Sequence, residues 1–147
     1  MKMFTMFVVT IAIAGHAAGT TAMESMSQAI KPHAPEGITA AFYACIDKAN
    51  GGTIASAACL TDEEARQDKR LNVTYKALLG KLKPEEKKEL IEAERAWLKF
   101  KESNGIFESS IYPNETIYNL EQSQDEIFAL CARADALQKY LDVATER

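Results

Sequence analysis

Two cysteines, Cys45 and Cys59, stand on either side of the run Asn50-Gly51-Gly52. Asn and Gly tolerate the left-handed backbone with which helices end, so this run is a terminator between two helical segments. Before it, Phe42, Cys45, Ile46 and Ala49 recur at helical offsets from about Ile38. After it, Leu60, Glu64, Leu71, Tyr75, Leu78 and Leu82 fall close to one face at about 100° per residue, which predicts a second helix from about Ala57 to Lys83. A Cys45–Cys59 bridge would staple the two helices across a loop of 15 residues. In the chain-entropy model a loop of that size stabilises a fold by roughly 3 kcal/mol.

Such a bridge needs an oxidising compartment. The amino terminus supplies the route: Lys2 is the only charge before an apolar stretch that begins at Phe4, and small residues follow it. Residues 1–22 therefore read as a signal peptide, with cleavage after Ala17 or Ala22 both fitting the small-residue requirement. The stretch is short for a membrane-spanning helix, which needs about 20 continuous apolar residues. Export to the periplasm or beyond the cell is expected, with no membrane association after cleavage. Cys131 is the odd cysteine. It lies on an apolar helical stripe, and a buried inert thiol is expected there rather than an intermolecular bridge, although the oligomeric state stays open.

Residues 23–37 mix Met, Ser and Gln with Pro32 and Pro35 and show no apolar period, so a flexible lead-in is expected. The remaining 38–143 form one helical domain. Pro84 fits the first turn of a third helix, with Glu85 and Glu86 at the end where the helix dipole favours acids. Its expected core stripe is Leu90, Ala93, Trp97 and Phe100, ending near Asn104-Gly105. Ile106 to Glu115 reads as a loop, and a final helix carries Ile127, Cys131, Ala134, Leu137 and Leu141. The fold class is all-α: a small bundle of about four helices stapled by one disulfide.

Composition excludes several functions. The formal charge of −4 argues against nucleic acid, whose phosphates require clustered Lys and Arg, and suits a basic protein partner. Past the signal peptide only one histidine remains, His33, within the lead-in. Nothing rigid holds a catalytic arrangement, the cysteines are too few for zinc, and no calcium loop is present. No catalytic, cofactor-binding or metal-ligating residue is assigned, and no enzyme is expected. Two glycosylation sequons begin at Asn72 and Asn114 and read as coincidental.

Asp68, Asn72, Tyr75 and Leu79 line up along one side of the second helix, at the edge of its apolar stripe. Each edge polar group needs a hydrogen-bond partner, and Glu94 on the third helix is the expected one for Asn72 or Tyr75. Arg95 falls on the opposite side of the third helix from Trp97, beside Ile91 and Leu98. These three form a candidate interaction patch, unless another helix covers the aliphatics and Arg95 merely extends past them.

The run Cys45-Ile-Asp-Lys-Ala, Cys59-Leu, Glu63, Asp68-x2-Leu71-Asn72-x2-Tyr75, Glu94-Arg95-Ala96-Trp97 and Arg133-Ala-x2-Leu137 resembles the bacterial lysozyme-inhibitor LprI-like domain. The motif residues are Glu63, Asp68, Leu71, Asn72, Tyr75, Arg95, Trp97 and Arg133, and the likeness spans about Phe42 to Leu141. The resemblance implies a secreted or periplasmic helical domain and a protein partner, a basic lysozyme-like muramidase. It implies no defined inhibitory residue set. An envelope-interaction or immunity-like protein with another partner is the alternative. This chain departs from the family pattern in carrying Glu94 where relatives commonly have Gln, and in lacking a second cysteine pair.

Overall fold

The computed structural model describes residues 25–112 and 115–147. The signal-peptide reading of 1–22 and the first two residues of the lead-in lie outside these described residues. Five α-helices follow in order: α1 Met26–Ile30, α2 Ala40–Ala49, α3 Thr53–Lys81, α4 Pro84–Ile111 and α5 Thr116–Thr145. A single 3₁₀ turn, Lys31–His33, follows α1. Among the described residues there is no strand, and the fold is all-α.

The terminator between α2 and α3 works as its residues dictate. Asn50 takes the left-handed conformation at φ 46° and ψ 47°, and Gly51 follows at φ 77°. The chain reverses there, and Cys45 and Cys59 are bonded. Thr39 caps α2, its hydroxyl accepting from the Phe42 N–H.

Packing sets the helix directions. Leu60 and Ile127 share one core cluster with Phe42, Ile46 and Cys131, while Leu78 and Leu137 share a second with Leu71, Leu90 and Ala134. Arg70 of α3 pairs with Asp135 of α5 between these two clusters. Partners advance along both helices together, so α3 and α5 run parallel. On α4 the order reverses: Glu94 meets Arg133 and Gly105 meets Gln122, which makes α4 antiparallel to α5. Phe42, Leu78, Leu137 and Cys131 lose essentially all solvent contact and form the centre of the core.

Three features differ from expectation. The lead-in is in part helical: Ser25 caps α1 in a reciprocal capping box, and the Ser27 N–H and hydroxyl both donate to the Asp47 carboxylate, tying α1 to α2. Polar contacts, invisible to an apolar period, order this segment. Second, α4 does not stop at Asn104-Gly105 but continues through most of the expected loop to Ile111, with Gly105 inside the helix. One glycine costs a helix about 1 kcal/mol, which 28 residues of helix absorb. Third, Phe100 and Ala93 are exposed rather than buried, Phe100 at 66 %. The core stripe of α4 reduces to Leu90 and Glu94, with Trp97 half-buried. The cause is the splay of α4: α3 packs chiefly on α5, and α4 makes its closest helix contacts with α5.

Candidate functional site

The splay leaves a groove of about 430 Å³ between α3 and α4, with Leu130 of α5 also lining it. From α3 come Asp68, Leu71, Asn72 and Tyr75, two turns of one helix face related by offsets of three and four. From α4 come Ile91, Glu94, Arg95, Trp97, Leu98 and Lys101. Six of the eight motif residues, Asp68, Leu71, Asn72, Tyr75, Arg95 and Trp97, therefore converge on one surface feature, together with all three residues of the candidate interaction patch. No helix covers that patch: Leu98 is 57 % exposed and Arg95 faces solvent, while Ile91 is half-buried.

The polar groups around the groove are arranged differently from the expected pairing. Glu94 does not bond to Asn72 or Tyr75. Its carboxylate accepts from the Arg133 guanidinium, from Nε at 2.9 Å and Nη2 at 2.5 Å. Arg133 also lies over the Trp97 ring, 6.0 Å from its centroid. Asn72 instead bonds back along its own helix, its amide donating to the Asp68 carbonyl at 2.9 Å and the Asp68 carboxylate at 3.1 Å. The reason is reach. Arg133 projects from α5 directly beneath α4, whereas Asn72 faces open groove.

Glu63, the seventh motif residue, has another task. It is fully buried, and its carboxylate accepts from the Thr39 N–H at 3.0 Å, the Thr39 hydroxyl at 2.6 Å, Arg66 Nε at 2.8 Å and Gln67 Nε2 at 2.7 Å. Burial alone would raise its pKa, yet these hydrogen bonds outweigh burial and hold it below the usual carboxylate range. Gln67 and Arg70, further along the same face, donate to the Gly37 carbonyl. A Cβ at Gly37 would displace the Arg70 guanidinium and the Asp135 carboxylate from their present positions. Glu63 thus docks the start of α2 onto α3. Sequence reasoning missed Gln67, Arg70 and Asp135: the offsets of Gln67 and Arg70 from Glu63 on α3 were legible, but their partners, the Gly37 carbonyl and Asp135 of α5, were not.

Chemically the groove offers a recognition surface. Leu71, Ile91, Leu98 and Leu130 make an apolar floor, and Asp68, Asn72, Tyr75, Arg95 and Lys101 supply donors and acceptors of both charges along its walls. Among the described residues no three His, Cys, Asp or Glu side chains converge as a metal site, and no buried side-chain polar atom lacks a partner. Cys131 is buried, and burial together with the Asp135 charge pushes its thiol pKa up, away from the reactive thiolate. Among the described residues no helix is long and apolar enough to cross a membrane.

A family model described as lysozyme inhibitor LprI matches residues 45–138, which takes in both cysteines of the staple, the α3 and α4 motif elements and Arg133. No curated protein and no solved structure matches the chain.

Proposed function

The chain belongs to the lysozyme inhibitor LprI family, and from that membership we propose that it is a periplasmic or secreted, non-enzymatic protein that binds and blocks a lysozyme-like muramidase. The observation that carries the reading is the coincidence of family and geometry: within the matched segment, six of the eight residues that carry the sequence resemblance line one open groove. Ile91, Arg95 and Leu98 are the proposed contact residues on its α4 wall. An exposed Arg between two aliphatics has the composition of an interface centre, where aromatic and Arg anchors contribute most of the binding energy. The acidic balance of the chain, −4 overall, favours encounter with a basic muramidase through long-range attraction.

The deciding experiment is turnover of cell-wall substrate by c-type, g-type and i-type lysozymes in the presence of a several-fold excess of the purified chain. Inhibition of one class is expected, weakened at least tenfold by Arg95→Glu with Leu98→Ser. Undiminished turnover by all three classes refutes the reading.

A further inference from the structure

The negative charge of this chain is not spread evenly. Between Glu102 and Ala132 lie six carboxylates, Glu102, Glu108, Glu115, Glu121, Asp125 and Glu126, and not one Lys, Arg or His. This one stretch more than accounts for the formal charge of −4. Its described residues form the distal half of α4 and the first half of α5; α3 packs on α5 there, through Leu60 and Ile127, and leaves α4 uncovered.

The same hairpin carries an apolar stripe on the flank of α4 opposite the groove. Phe100, Phe107 and Ile111 follow at offsets of seven and four, which places them on one side of the helix. They are 66 %, 58 % and 58 % exposed. Phe100 shares a small cavity with Glu108 and Asp125, so the stripe lies directly against carboxylates. Tyr112 and Tyr118 stack at 5.8 Å beyond its end and hold the hairpin closed. Among the described residues the ion pairs lie elsewhere, and Lys101 is the one base that lines the cavity with these acids. Partial burial, and then repulsion from Glu108 and Glu121, hold the Asp125 carboxyl above its usual range. An incoming cation relieves that repulsion.

We infer that the Phe100–Phe107–Ile111 flank of α4 is a second docking surface, separate from the groove, and that its occupant is a cationic protein. Apolar side chains supply the buried contact, and the surrounding carboxylates select a partner rich in Lys and Arg and repel acidic ones. An acidic field of this kind acts mainly on the association rate and weakens with salt.

The test uses binding and not turnover, so it stands apart from the inhibition assay. A c-type lysozyme serves as the cationic probe, and the same protein with its lysines acetylated as the uncharged control. Affinity is measured by calorimetry or interferometry on the full mature chain, on Arg95→Glu/Leu98→Ser, on Phe107→Ser/Ile111→Ser, and on Glu108→Gln/Glu121→Gln/Asp125→Asn. The inference expects the groove variant to retain binding, the apolar variant to lose at least tenfold, and the neutralised variant to lose both affinity and salt dependence. A salt titration of the unaltered chain gives the same readout without any substitution. Four results overturn it: no binding by the unaltered chain, affinity unchanged in both hairpin variants, equal affinity for acetylated lysozyme, or sedimentation as a dimer that Phe107→Ser/Ile111→Ser dissolves. The last would assign the face to a second copy. Binding of the probe by an unaltered chain that inhibits none of the three lysozyme classes would refute the proposed function and leave this surface standing.

Discussion

The Arg133 guanidinium donates two hydrogen bonds to a single oxygen of Glu94, 39 residues earlier in the chain, and so ties α5 to α4 beneath the groove. Trp97, one turn on from Glu94, covers the same guanidinium. Together with Leu90 and Trp97, which pack on the second core cluster, this pair joins the splayed helix to the bundle.

Removing the carboxylate should therefore cost stability. Breaking a fully buried pair costs about 3–5 kcal/mol. Here the two side chains are 16 % and 10 % exposed, and solvent screening reduces the cost. Glu94→Ala is expected to lose about 2 kcal/mol, and Glu94→Gln, which keeps an acceptor, about 1 kcal/mol. Urea unfolding measures both. Arg95→Ala, at the adjacent but exposed position, should shift stability by less than about 0.5 kcal/mol. Equal midpoints for Glu94→Ala and Arg95→Ala would remove the structural role assigned to the pair.

Glu63 makes stability depend on pH. Its folded pKa lies below its unfolded value, so the stabilisation is present above the ordinary carboxylate range and is lost as pH falls through the folded pKa. The unaltered chain should lose urea resistance as pH falls below the ordinary carboxylate range. Glu63→Gln should be less stable at pH 7 by about 1–3 kcal/mol and should show a shallower decline over the same interval. Parallel pH profiles for the two proteins would contradict the assignment of this carboxylate.

The Cys45–Cys59 bridge closes a short loop, with a sequence separation of 14. Reduction, or Cys45→Ala with Cys59→Ala, is expected to lower stability by about 3 kcal/mol, read as a lower midpoint at an unchanged denaturant slope. Mass mapping of the exported protein should find neither thiol free.

Cys131 should behave as packing. Buried, and with its thiol pKa raised by burial and by Asp135, it is expected to resist a thiol reagent in the native protein and to react fully in 6 M guanidinium. Rapid labelling under native conditions, or a disulfide-linked dimer on non-reducing electrophoresis, would count against this placement.

Much of the architecture was written locally. Asn50-Gly51-Gly52 had to end a helix because those residues accept a left-handed backbone, and Pro84 with Glu85 and Glu86 had to begin one. Ile127, Cys131, Ala134 and Leu137 announced a buried face by spacing alone, and that face is buried. The order around Ser27 was not legible, because it depends on a hydrogen bond to Asp47, 20 residues away, and polar partnerships leave no periodic trace. The same reason hid the partners of Glu94 and Glu63.

The groove marks the boundary between the two kinds of information. The sequence determined that Asp68, Asn72 and Tyr75 share one helix edge and that Ile91, Arg95 and Leu98 share another, because helical periodicity depends on near neighbours only. Whether those edges would meet, stand apart or be covered was decided by tertiary packing. α5 fills the space between α3 and α4 with Leu130 and Leu137 and anchors α4 through Arg133, so the two edges face each other across an open cleft instead of closing into core. Side-chain volume and one long-range ion pair set that separation, and neither is a property of any single segment of the chain.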